Sequence, residues 1–193
     1  EKCNAQVQIG PDRPKPITLK WPIVLGGVDY GRLPADLLGH LAAAANSSQL
    51  ALSVEHDVAV TEPGLQKIVT VNATRPLGDL ADAAAVQIHA PHASELTRKN
   101  IEPIVEAIHG QTGASIPVGV VAPAYNAGWV VDETIKLDID FYVPDGQWTS
   151  DLRPESVFPE LDGDPHISVL TDTVDRLRHH CREASVQVIY RGG

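Results

Sequence analysis

Seven short apolar runs recur along this chain, and the stretches between them alternate with helical spacing. The runs are residues 22–27, 51–55, 68–72, 85–89, 117–121, 139–143 and 186–190. Most are β-branched and lack the polar–apolar alternation of a half-solvated strand. That composition predicts parallel strands covered on both faces. Between them, residues 34–46 place Leu37, Leu38, Leu41 and Ala45 on one helical face, with Pro34 in the first turn. Residues 94–109 keep Ile101, Ile104, Val105 and Ile108 at helical spacing, with Ser94 as N-cap and Gly110 as the stop. Shorter helices are expected over 129–137 and 171–183, the latter with Val174, Leu177 and Cys181 on one face. One or two helical turns are expected over 77–83.

Strand–helix alternation of this kind admits two folds. The preferred one is a (β/α)8 TIM-type barrel, incomplete in this chain because only strands one to seven are present. A doubly wound sheet is the rival. A complete barrel takes about 250 residues, and this chain has 193. Residues 1–20, rich in Pro, Lys and Gln, read as an extended lead-in, and residues 21–193 as barrel strands one to seven. The sequence starts at Glu1 without a methionine and ends at Gly193 directly after a strong strand. The expectation is therefore that a second polypeptide, or a continuation of this one, supplies strand eight, since open strand edges and unpaired amides are costly.

Charge narrows the partners. A formal net charge of -10 repels phosphate backbones, so nucleic acid is not expected. No apolar run approaches 18 residues, so no membrane span is expected. Two cysteines, Cys3 and Cys181, are too few for a disulfide framework, and the default compartment is a reducing cytoplasm.

The segment Leu19-Lys20-Trp21-Pro22-Ile23-Val24-Leu25-Gly26-Gly27-Val28-Asp29-Tyr30-Gly31 resembles the entry to the flavin-binding domain of the glutamate synthase family. Further segments agree in order and spacing: Ala81-Asp82 with 85–89, Thr112 to Val120, Asp140 to Gly146, and the helix and strand from Leu170 that run into Gly192-Gly193. The resemblance covers residues 18–193. It implies a barrel, flavin mononucleotide (FMN), oxidoreductase activity on a small amine or amino acid, and a phosphate loop that begins at Gly192-Gly193. It also implies that the flavin ring lies over Gly26 and Gly27, near Tyr30 and Gln87.

The departures from that pattern have chemical weight. The family's lysine on the fourth strand is Gln87, and its lysine at the end of the fifth is Val121. The cluster cysteines are absent, and the glycine-rich stretch after Asp145-Gly146 is Gln147-Trp148-Thr149-Ser150. A flavin phosphate is held by backbone amides at a helix start, and a nearby cation stabilises anionic reduced flavin. Gln87 brings hydrogen bonds but no charge. The glutamate synthase reaction itself is therefore not implied.

Barrel sites lie at the C-terminal ends of strands. Those positions carry Asp29, Tyr30, Glu55, His56, Asp57, Asn72, His89, His92 and Asp145. His89 with Glu55 is the expected catalytic pair, because an imidazole with a carboxylate partner works as a general base near neutral pH. His89, His92, Glu55 and His56 also include zinc or iron ligand types, although hydrogen-bonded histidines are the plainer reading and no metal site is assigned. Trp148 either stacks on a ligand or plugs the mouth, Asp162-Gly163-Asp164 reads as a turn, and His179-His180 as a solvated helix face. Three functions stay open, in this order: a flavin-dependent oxidoreductase subunit sharing its site with a partner chain, a non-catalytic subunit supporting an active partner, and a metal-dependent lyase or hydrolase.

Overall fold

The computed structural model describes residues 5–26, 33–146 and 167–191. Two short strands open the chain, β1 (Val7–Ile9) and β2 (Ile17–Leu19), and pair antiparallel. The seven apolar runs then supply β3 (Val24–Leu25), β4 (Ala51–Glu55), β5 (Gln66–Asn72), β6 (Ala85–His89), β7 (Val118–Pro123), β8 (Phe141–Asp145) and β9 (Gln187–Val188). All seven form one parallel sheet in the order β3-β4-β5-β6-β7-β8-β9. Each strand is hydrogen-bonded to its neighbour in sequence. A doubly wound sheet reverses its order at a switch point, so that rival is excluded.

The sheet curls. Val24 on β3 and Ile189, directly after β9, pack against one interior cluster that contains Ala51, Ile68, Ala85, Val121, Phe141 and Val143. On the outer face Val69, Val71, Val86, Ile88, Val118 and Val120 belong to a second cluster with the helices. Residues of one run thus go alternately to two apolar environments, which is why the runs show no polar alternation. The curled sheet is compatible with an incomplete TIM-like barrel. Between its edges, β3 and β9, lies an apolar groove of about 620 Å3 lined by Leu19, Ile23, Val24, Val174, Leu177 and Val188 among others.

Among the described residues four α-helices cover the outside: α1 (Ala35–Ser47), α2 (Arg98–Thr112), α3 (Ala127–Thr134) and α4 (Ile167–His179). On α1, Leu38, Ala42 and Ala45 are buried against Leu52 and Val54 of β4; Leu37, expected on that face, is exposed. Helix α2 begins after Thr97, not Ser94, which lies in a 3-10 turn over Ala93–Glu95. It runs through Gly110 and ends at Gly113, whose φ of +63° lets its amide cap the His109 carbonyl. Helix α4 ends before Cys181, which is exposed rather than on the buried face. The turns expected over 77–83 are not helical: Asp79 accepts the Ala81 amide, and Leu80 is buried in the outer cluster.

The lead-in expected over residues 1–20 contains more order than its composition suggests. Residues 7–19 are a hairpin whose Ile9, Ile17 and Leu19 enter the interior cluster and close the N-terminal end of the curled sheet. Polar clamps fix it there. The Gly10 amide donates to Gln187 Oε1 at 2.8 Å, and the Lys15 amide to the Ser115 carbonyl at 2.9 Å. Arg13 Nε donates to both carboxylate oxygens of Asp140 at 2.9 Å, and Asp140 also accepts the Val118 amide at 2.8 Å. Gly10 is required twice over: its φ is +63°, and a Cβ there would press into the Pro117 ring.

Candidate functional site

Among the described residues, the hairpin closes the lower end of the sheet and the C-terminal ends of its strands are left uncovered. Inward-facing positions on β4 and β5 are Ser53, Glu55 and Thr70. On β6 they are Gln87 and His89, with Asp145 and Arg191 across the mouth. A cavity of about 110 Å3 sits between these walls, lined by Gly26, Ser53, Ile68, Gln87, Tyr190 and Arg191 among others. Gln87 is buried, and its amide nitrogen donates to Ser53 Oγ and Thr70 Oγ1, both at 2.8 Å. These two bonds satisfy a polar side chain that would otherwise be costly inside an apolar barrel, and they fix its orientation at the cavity floor.

The titratable groups stand above that floor. His89 ends β6 opposite Asn72 of β5 and is half-buried. Burial, then the positive charge of Arg191, lowers its pKa below the usual 6.5, and Asp145 opposes this. Glu55 ends β4 at the rim. Its side chain reaches solvent, yet the walls strip part of the hydration from its carboxyl and raise its pKa, while Arg191 pulls it down. Asp145 is buried, with its Oδ2 3.5 Å from an Arg191 guanidinium nitrogen. Arg191 is therefore the charge that all three groups share. Its backbone is fixed on both sides, since its amide donates to the Pro144 carbonyl at 3.0 Å and its carbonyl accepts the Gly146 amide at 2.8 Å.

The expected site residues fall into three groups. Gly26 and Gln87 line this cavity, and Glu55 and His89 end β4 and β6, each in the field of Arg191. His92 has a separate role at the 3-10 turn of Ala93–Glu95: its amide donates to Glu95 Oε2 at 3.3 Å and its carbonyl accepts the Glu95 amide at 3.1 Å. His180 clips α4 to α3 through Asp132 at 2.8 Å. Gly27, Asp29, Tyr30, Trp148, Asp162, Gly163, Asp164, Gly192 and Gly193 lie outside the described residues. Sequence reading passed over Ser53, Thr70 and Arg191 as site residues. Their signal was parity: 53 lies two residues from 55, 70 two from 68, and 191 two from 189, so each points inward with its neighbour.

The described residues do not by themselves make a flavin pocket. Small-molecule pockets run from about 300 Å3 upward, and this mouth is well below that. A Cβ on Gly26 would lie 3.0 Å from Ser53 Cβ, so this glycine serves the close approach of β3 to β4. Among the described residues no three His, Cys, Asp or Glu side chains are grouped as metal ligands, and no helix is long and apolar enough to cross a membrane. Fold and site together define an α/β protein with a curled parallel sheet and a polar, titratable mouth at the strands' C-terminal ends. No family model and no curated protein sequence matches the chain.

Proposed function

We propose that this mouth is a proton-transfer site for a small polar molecule, with His89 as base and Glu55 as the complementary acid. The observation that carries the reading is that two strand-end groups beside Arg191 are both shifted by burial toward their neutral forms. His89 is held neutral toward lower pH than an ordinary imidazole, and Glu55 keeps its proton toward higher pH than an ordinary carboxylic acid. Both shifts favour the neutral form, an imidazole free to take a proton and a carboxyl that holds one longer, and perturbed titratable groups gathered in a cleft are a mark of functional sites. Position adds to it, because the C-terminal ends of parallel barrel strands are where such sites occur.

The test needs no prior substrate. In D2O, a panel of ketones, 2-oxo acids and amino acids is incubated with the whole protein, and exchange of carbon-bound hydrogen is followed by NMR. A panel member should exchange, and His89→Ala and Glu55→Gln should each slow it by about a hundredfold, the usual contribution of a positioned acid or base. Exchange with no panel member, or exchange indifferent to both substitutions, defeats the reading and favours a subunit that only supports an active partner.

A second reading is the flavin-dependent oxidoreductase subunit, similar to the glutamate synthase family and completed by further polypeptide. Gly26 and Gln87, which the resemblance sets beside the ring, line one cavity, and an apolar groove lies between the edge strands β3 and β9. In that reading Gln87 would meet the ring and the added polypeptide would carry the phosphate loop. Visible absorbance in the purified assembly, released by acid, supports it; a colourless assembly removes it.

A further inference from the structure

Arg191 holds more hydrogen-bonding capacity than the fold uses. Its Nε is buried and has no hydrogen-bond partner among the described residues. The guanidinium's ion pair is with Asp145 at 3.5 Å, longer than the 2.7–2.9 Å of a strong charge-assisted bond. A buried donor left unsatisfied is costly, and a guanidinium has five N–H donors in a rigid fork. The same side chain lines the mouth cavity, beside the hydroxyl of Ser53 and the amide of Gln87.

We infer that the mouth binds a small monocarboxylate, with Arg191 as its anchor; this deepens the reading of the mouth as the reactive site and rests on it. Three features select that chemistry. A carboxylate matches the guanidinium fork with two parallel bonds, as a neutral amide or an alcohol does not. The cavity, about 110 Å3, has room for the carboxylate end of a small molecule. Asp145 is buried beside Arg191, so the local charge accepts one added negative charge far better than two, which disfavours a phosphate dianion. A carboxylate on Arg191 also brings the rest of the molecule to the two groups that feel the same guanidinium, His89 and Glu55.

The probes are acetate and inorganic phosphate, titrated into the whole protein by calorimetry and by NMR of backbone amides, at constant ionic strength with chloride as the control. Acetate should bind saturably at one site and shift the amides of Tyr190 and Arg191. Arg191→Gln should weaken it at least tenfold. Arg191→Lys, which keeps the charge and so guards against a folding defect, should still weaken it at least threefold through loss of the fork. His180→Ala, on the clip between α3 and α4, should leave acetate affinity within threefold. No saturable acetate binding, equal binding by Arg191→Gln, or phosphate bound tenfold more tightly than acetate overturns the inference. Binding is read without turnover, so its loss is distinct from failure of proton transfer: acetate bound normally by a protein that exchanges no carbon-bound hydrogen leaves the carboxylate site standing and defeats the acid–base reading alone.

Discussion

A Cβ on Gly119 would fall inside the Phe141 ring, which fills the space that the glycine leaves on the neighbouring strand. Overpacking of that kind costs about 1–3 kcal/mol. Gly119→Ala should therefore lower stability by that amount in urea unfolding, and Phe141→Leu added to it should cost less than the two single changes summed, because the residues share one space. Additive losses would show that the interior relaxes elsewhere. His89 gives a residue-scale prediction in pH. Its folded pKa lies below the unfolded value near 6.5, so below about pH 6.5 the unfolded chain binds more protons and stability falls as pH falls. The loss continues until pH passes the folded pKa, and His109, also lowered by burial, adds to it. Glu55 works the other way, its contribution being lost as pH rises through its raised pKa. His89→Asn should flatten the fall in unfolding free energy between pH 7 and pH 5. An unchanged slope would mean that His89 is not buried enough to resist its proton.

At the scale of elements, the hairpin of β1 and β2 is held by side chains more than by its own length. Arg13 and Asp140 side chains are each 9% exposed where they pair. Removing one partner of a buried pair costs about 3–5 kcal/mol, and Arg13→Ala should fall near the lower figure because Asp138, the second partner, is open to solvent. Amide exchange in residues 7–19 should accelerate well before that in β5 and β6. Uniform acceleration across the sheet would show that the hairpin and barrel unfold as one unit. This hairpin was hidden in the sequence because Pro11, Pro14 and Pro16 dilute its apolar residues, and its strands are only three residues long. The seven parallel strands were legible for the opposite reason, since burial on both faces leaves unbroken apolar runs. Helix ends were less legible. Gly110 and Gly113 are both plausible stops by residue type, and only the left-handed backbone at Gly113 separates them. Of the site, His89 and Glu55 could be found as polar residues at strand ends, and Gln87 through the family resemblance. Arg191 carried only its parity with Ile189, because its importance comes from its bridge to Asp145 of β8, a contact between positions far apart in sequence.

At the scale of the whole molecule, the open side of the sheet dictates what can be added to it. Amides of Gln187, Ile189 and Arg191 donate to carbonyls of the β8 segment. Successive residues of a parallel strand bond to opposite neighbours, so the Val188 amide is turned toward the β3 side. The groove there is apolar, and Ile23 on its wall is 51% exposed. Sheet edges with this character recruit a strand, and the occupant we propose is the eighth strand of the barrel, from a partner chain or from further polypeptide of this one. Ile23→Asp separates that role from folding. A change at so exposed a position shifts stability of the 193-residue chain by about 0.5 kcal/mol or less. In the completed assembly the same carboxylate would be buried without a partner, which is far more costly. The expected result is an unchanged melting temperature for the 193-residue chain, with at least tenfold weaker association of the completing segment and faster exchange of the Val188 amide in the assembly. Association and exchange equal to the unsubstituted protein would mean that the groove is not where the sheet is completed.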